Sequence, residues 1–86
     1  MKYYLYCIRD KYTGYLAPTP HINDDAAKRD FAYSINNNPG IMNFAPADYD
    51  LFRVGEFDTK SGEVKNGIQV FISNGLEVYV DAKSES

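Results

Sequence analysis

The chain contains few of the residues that build metal centres and disulfide frameworks. Among its 86 residues there is one cysteine, Cys7, one histidine, His21, and no tryptophan. A single cysteine excludes a disulfide within the chain, and a single histidine leaves little basis for a Cys/His metal site. We therefore expect a protein without metal or other cofactor.

Long hydrophobic runs are also missing. No stretch reaches the roughly 18 apolar residues that a membrane-spanning helix needs. The apolar start, residues 1–8, lacks the length and the small-residue cleavage pattern of a secretory signal. We expect a protein of a reducing cytoplasm with no membrane partner.

Positive charge is scarce and unevenly placed. The net charge is −3 and the pI is about 4.9, which argues against a strong electrostatic hold on nucleic acid. Up to Ala47, five basic residues against four acidic ones give +1, whereas from Asp48 onward four basic against eight acidic residues give −4. The acidity therefore belongs to the C-terminal half.

Aromatic residues are abundant, with eight tyrosines and five phenylalanines. Several of them lie in the first predicted strand, from Lys2 to Arg9, whose two faces are both largely apolar. A single helix can cover only one face of a small sheet. We therefore expect a second copy to cover the other face in a homodimer.

One helix is predicted from Asn23, its N-cap, to about Asn37. Two aspartates follow the cap and oppose the positive end of the helix dipole. The buried stripe is predicted to contain Ala27, Phe31 and Ile35, with Ala32 beside it. The sequence 36–40, Asn-Asn-Asn-Pro-Gly, is predicted to end the helix.

The other segments predict loops and strands. Residues 10–22 are expected to form a loop because of Pro18 and Pro20, and residues 41–47 to be irregular. Strands are predicted at 49–57 and at 63–72, with an interruption at 66–67, joined by a five-residue hairpin loop at 58–62. The dipeptide Asn74-Gly75 predicts a tight hairpin that leads into a half-exposed strand at 76–80.

Together these elements predict an α+β fold in the order β-α-β-β-β. One helix packs on a mixed, mostly antiparallel sheet, with a right-handed parallel crossover between the first two strands. Residues 1–82 are expected to form this single domain, and residues 83–86 a frayed tail.

No residue pattern indicates catalysis, so we expect a protein that is not an enzyme. His21 has no second histidine or serine motif nearby, and Cys7 lies in mid-strand, where an inert buried thiol is the usual state. Helix capping accounts for Asp24 and Asp25 without a metal.

The N-terminal region combines basic and aromatic side chains, the pattern that holds single-stranded nucleic acid by stacking beside positive charge. The candidates are Lys2, Arg9, Lys11, Tyr12 and Tyr15. The alternative is that the strand tyrosines pack in a core or a dimer, which leaves Tyr12 and Tyr15, in the loop, as the more accessible rings.

The chain resembles the small non-structural protein encoded by the fifth open reading frame of gokushovirus-type Microviridae. The resemblance rests on Tyr6-x-Ile8-Arg9-Asp10, on Asn23-Asp24-Asp25-Ala26-Ala27 followed by Phe31, and on a segment from Pro46 to Asp58 closed by Gly62-Glu63. It implies a protein of a small single-stranded DNA phage, made in the cytoplasm of the host bacterium and absent from the mature capsid. It also implies binding to single-stranded DNA or to the phage replication protein in support of genome synthesis.

A second hypothesis is an acidic modulator that binds a host protein at a site built for nucleic acid. It requires one acidic face formed by Asp48, Asp50, Glu56, Asp58 and Glu63.

Overall fold

The computed structural model describes residues 1–37 and 40–80. Its strands are β1 (Lys2–Asp10), β2 (Gly14–Tyr15), β3 (Thr19–His21), β4 (Tyr49–Asp58) and β5 (Val64–Asn74). Its helices are α1 (Asp24–Asn37), α2 (Ile41–Phe44) and α3 (Gly75–Val78), with a 3₁₀ turn at Pro46–Asp48. The predicted α+β class is confirmed, and the tail predicted at 83–86 lies outside the described residues.

All strand pairings in the described part of the chain are antiparallel. The sheet order is β2-β1-β4-β5, and β3 also pairs with β1. The predicted parallel crossover between the first and second long strands is therefore wrong, because β1 pairs antiparallel with β4 over its whole length.

The reason for the error lies in the segment predicted as a loop. Residues 10–22 contain β2 and β3, and β3 runs back along β1, so that His21 lies opposite Tyr4. Helix α1 consequently starts beside the first residues of β1 and carries the chain to the level of the last residues of β1. Strand β4 begins there, so it runs antiparallel to β1. Pro20 is accommodated because β3 is a short strand beside β1, where a missing N–H donor is tolerated.

Helix α1 matches its prediction. The side-chain oxygen of Asn23 accepts a 2.8 Å hydrogen bond from the backbone N–H of Ala26. Ala27, Phe31 and Ile35 are buried against the sheet. The core is completed by Tyr6, Tyr49 and Leu51 from the strands and by Met42 from α2. Residues 41–47, predicted to be irregular, in fact contain α2 and part of the 3₁₀ turn.

The β4–β5 hairpin is confirmed, and its turn is held by Asp58, whose side chain accepts a 2.8 Å hydrogen bond from the N–H of Lys60. Strand β5 continues through Asn66-Gly67, where an interruption was predicted. The pairing is nevertheless irregular there, because the register shifts between Arg53 and Gly55.

The strand predicted at 76–80 is wrong, since Asn74-Gly75 starts α3 rather than a hairpin. Asn74 and Glu77 form a capping box. The side-chain oxygen of Asn74 accepts from the N–H of Leu76, and the carboxylate of Glu77 accepts from the N–H of Asn74. The side chain of Asn36 then holds the end of this segment by donating to the carbonyl of Val78 and accepting from the N–H of Val80. Within the described residues, no helix is long and apolar enough to cross a membrane.

Candidate nucleic-acid interface

The two faces of the sheet differ in how they are covered. Helix α1 packs on the face that carries Tyr6 and Leu51. The opposite face, which we call the open face, carries Cys7, Arg9 and Phe52, because side chains alternate along each strand and Cys7 lies directly opposite Phe52. No described helix covers this open face.

Three aromatic rings form a row across the open face, and we call Tyr15, Phe52 and Phe71 the aromatic platform. The ring centroids of Tyr15 and Phe52 are 5.8 Å apart, and those of Phe52 and Phe71 are also 5.8 Å apart. Both pairs meet edge to face, the geometry that aromatic quadrupoles favour. The rings come from β2, β4 and β5, so the platform is an assembly of three strands.

The outer rings of the platform are accessible. Tyr15 is 44% exposed and Phe71 is 51% exposed, while Phe52 between them is half-buried. The hydroxyl of Tyr15 donates a 2.9 Å hydrogen bond to Oε1 of Gln69, so the phenol ring is fixed to β5. The ring planes of neighbouring pairs are 69° and 79° apart, so the rings do not share one plane, and each exposed ring can stack on a base separately.

Two basic residues lie at one end of the platform, together with Asp50, which is directly opposite Arg9 in the β1–β4 ladder. Arg9 is directly opposite Tyr15 in the β1–β2 ladder, and Lys11 follows at the exposed end of β1. Tyr12 is 82% exposed beside them, and its N–H donates to the side chain of Asp10. That hydrogen bond is the main cause that lowers the pKa of the Asp10 carboxyl. Four of the five predicted basic and aromatic residues are therefore near one another.

Lys2 is not part of this group. It lies at the other end of β1, opposite Asp58, roughly 23 Å along the strand from Arg9 at 3.3 Å per residue. Lys2 belongs instead to a mixed-charge groove that it lines with Glu56, Asp58, Glu63 and Lys65.

The five predicted acidic residues are divided between the two ends of β4. Glu56, Asp58 and Glu63 lie with Lys2 and Lys65 near the hairpin, and Lys65 is 3.7 Å from Glu63. At the other end Asp50 is buried and accepts a 2.7 Å hydrogen bond from Asn74. Asp48 ends the 3₁₀ turn. These positions do not form the single acidic face that the host-protein hypothesis requires.

Cys7 and His21 occupy ordinary structural positions. Cys7 is buried, and burial raises the pKa of its thiol, which keeps it protonated. His21 lies edge to face with the ring of Tyr6, and its Nε2 is 3.5 Å from the carboxylate of Asp30. These contacts of His21 join β3 to β1 and to α1, while Cys7 lies within β1.

A polar cluster ties the start of α1 to the helix-covered face. Both carboxylate oxygens of Asp24 accept from Arg53 at 3.0 Å, and one also accepts from the Tyr6 hydroxyl at 2.6 Å. Burial, and then the hydrogen bond to Asp24, raise the pKa of Tyr6, so this hydroxyl remains a donor. The guanidinium of Arg53 in turn lies 5.1 Å from the ring centre of Tyr4.

Replacing Asp24 with alanine is expected to lower the free energy of unfolding by about 1–3 kcal/mol more than Asp25→Ala does. Both variants remove one charge from the first turn of α1, but only Asp24→Ala leaves Arg53 and the Tyr6 hydroxyl without their shared acceptor. Urea denaturation of the two variants measures the difference. Equal losses would mean that the cluster adds nothing beyond the helix dipole.

Sequence reasoning missed Phe52, Phe71 and Gln69. Its prediction stopped at the N-terminal basic and aromatic residues, because the partners of Tyr15 lie 37 to 56 positions further along the chain. The available signal was the pair of aromatic strands at 49–57 and 63–72, but their pairing contains two register shifts that no local pattern specifies.

Comparison with protein-family models identifies a family for this chain. A family model described as Phage ORF5 protein matches residues 3–78 of the chain, a range that contains the described strands and helices except for Lys2, the first residue of β1. No curated protein and no solved structure matches it.

Proposed function

We propose that this chain, which belongs to the Phage ORF5 protein family, is a phage accessory protein that binds single-stranded DNA through its aromatic platform. The observation that supports the proposal is the row of Tyr15, Phe52 and Phe71 on the open face, with Arg9 and Lys11 at one end.

Single-stranded DNA suits this surface better than duplex DNA does. The bases of a single strand are free to stack on aromatic rings, and each such contact contributes roughly 1–3 kcal/mol. A duplex keeps its bases stacked inside and presents mainly phosphates, which require many cations. The platform has rings in a row but only Arg9 and Lys11 beside them.

The charge count predicts a modest dependence on salt. Two cations that neutralise phosphates of a single strand give a slope of log K against log salt of about −1.4, at −0.7 per cation. Affinity should therefore fall roughly sevenfold between 50 and 200 mM salt. Stacking, which depends little on salt, supplies the remainder of the binding free energy.

The test is a titration of the purified protein into a fluorescent single-stranded oligonucleotide at several salt concentrations, with the matching duplex as control. We expect saturable binding to the single strand, the shallow slope given above, and weaker binding to the duplex. Equal affinity for both forms, or a slope typical of many phosphate contacts, would contradict a stacking platform. An absence of binding even at low salt would contradict the proposal as a whole.

The role that we propose for this binding is support of genome synthesis in the cytoplasm of the infected bacterium, by a protein outside the mature capsid. This is the role implied by the gokushovirus-type resemblance. We further propose that the protein acts by binding alone, without catalysis or a cofactor.

The other candidate occupants of the platform are a second copy of the chain, the phage replication protein and a host protein. A homodimer would bury the open face of both copies, and DNA would then compete with self-association, so sedimentation with and without the oligonucleotide identifies this case. A complex with the phage replication protein would appear as binding to that protein and not to DNA. A host-protein partner is disfavoured, because the acidic residues lie at opposite ends of β4.

A further inference from the structure

We propose that a second copy of the chain docks on the helix-covered side of the sheet, in a groove of about 340 Å³ beyond the first turn of α1. We call it the arm groove, and its lining includes Tyr4, Arg53, Gly55, Gly67, Ile68 and Val70. The contact lies on the side of the sheet opposite the aromatic platform, so it leaves the platform exposed and does not rest on DNA binding.

Helix α1 covers only part of the side on which it packs. Its first turn reaches Arg53, which donates to Asp24 at 3.0 Å. Beyond that point the start of β1 and the hairpin ends of β4 and β5 form a bare arm, and residues 64–71 of β5 are exposed throughout. Ile68 is 88% exposed, the largest fraction of any large hydrophobic side chain that the structure describes. Tyr4 and Val70 are exposed beside it, so the arm has an apolar patch.

The free edge of β5 is a poorer place for a second copy than the groove. Strand β5 ends the sheet on one side, and a copy added there would need a regular row of backbone N–H and C=O groups. The register between β4 and β5 shifts twice, however. Such bulges twist a strand and interrupt further pairing. We therefore expect contact through side chains, face to face.

The arm groove complements its own rim in shape. Its floor contains Gly55 and Gly67, where a Cβ on Gly67 would be 3.4 Å from Cα of Gly55, so the floor is backbone. Ile68 lies directly beside this floor. In a two-fold contact the same patch of both copies meets itself. Ile68 of each copy can then lie over the glycine floor of the other.

The groove also complements its own charge. Glu56 lines it three positions beyond Arg53 on β4 and forms no salt bridge with another described residue. Arg53 donates to Asp24 through Nη1, which leaves Nη2 for a second acceptor. When the two β4 strands cross antiparallel, Arg53 of each copy faces Glu56 of the other, which gives two charge-assisted contacts. A second copy supplies the apolar knob and both charges by symmetry.

The experiment is sedimentation equilibrium of the wild-type protein, Ile68→Asp and Ile41→Asp. We expect the wild type to dimerise in the micromolar range, as small interfaces do. Ile68→Asp should raise the dimer dissociation constant at least about 100-fold, because each dimer loses two buried isoleucines. Ile41, 62% exposed on α2, lies outside the groove, so Ile41→Asp should stay within about twofold of the wild type. Equal dissociation constants for the two variants would overturn the proposal, and circular dichroism verifies that both are folded.

Glu56→Lys and Glu63→Lys form a second pair of variants with the same change of net charge. Only Glu56 lines the arm groove, so we expect Glu56→Lys to weaken the dimer about tenfold and Glu63→Lys less than about threefold. A wild-type protein that stays monomeric, or a dimer that Phe71→Ser disrupts and Ile68→Asp does not, would overturn the proposal. Ile68→Asp should bind a short single-stranded oligonucleotide as the wild type does, and a loss of that binding would assign the groove to DNA instead.

Discussion

A double variant that replaces Tyr15 and Phe71 with serine is expected to bind single-stranded DNA at least about 30-fold more weakly than the wild-type protein. Each stacked base contributes roughly 1–3 kcal/mol, so the loss of two rings removes at least about 2 kcal/mol of binding free energy. Both side chains are about half exposed and neither belongs to the buried core cluster, so their replacement leaves that core unchanged. Fluorescence anisotropy measures the affinity, and thermal unfolding verifies that the variant is folded.

The matched control replaces aromatic residues that are at least as exposed but lie outside the open face. Tyr33, on α1, is 68% exposed and Phe44, on α2, is 84% exposed. We expect the variant with serine at both of these positions to bind within about twofold of the wild type, because it keeps every ring of the platform. Equal losses in the two double variants would show that aromatic content in general, and not the platform, determines affinity.

Replacing Gly75 with alanine is expected to lower the free energy of unfolding by about 3 kcal/mol or more. A Cβ at Gly75 would overlap the carbonyl oxygen of Pro46 and would lie 2.8 Å from its carbonyl carbon and 3.1 Å from Cδ1 of Ile35. The backbone of the 3₁₀ turn and the core side chain of Ile35 cannot both move without opening the junction of α1, α3 and β5. Helix propensity acts in the opposite direction, but it favours alanine by only about 1 kcal/mol.

Gly67→Ala is the control, since a Cβ there would meet its nearest atom, Cα of Gly55, at an ordinary contact distance of 3.4 Å. We expect this variant to change stability by less than about 1 kcal/mol. Denaturant unfolding of both variants at one temperature measures the difference. A Gly75→Ala protein as stable as the wild type would contradict the close packing of α3 on the 3₁₀ turn.

Helix α1 was predictable because its determinants are local. Asn23 caps the first turn from three residues away, and the spacing of Ala27, Phe31 and Ile35 follows from the period of the helix. Strands β1 and β4 were predictable for the same reason, since runs of aromatic and β-branched residues favour extended structure wherever they pack.

Two errors came from signals whose meaning depends on surroundings. Asn74-Gly75 is typical of a tight hairpin, yet it starts α3, because Glu77 completes a capping box and Gly75 fits against Pro46. The preference of Asn-Gly for a tight turn is weaker than the capping box and this packing together. The parallel crossover failed because β3, three residues long and containing a proline, still pairs with β1 and returns the chain.

The sequence by itself therefore determined the fold class, the helix with its cap and buried stripe, and the accessibility of Tyr12 and Tyr15. Only the tertiary structure decided that Tyr15 lies in a row with Phe52 and Phe71, that Gln69 reaches it, and that Lys2 is far away. The physical reason is that a helix face repeats along one segment of chain. A sheet face, in contrast, is composed of several strands whose register is set by bulges and by packing between residues distant in sequence.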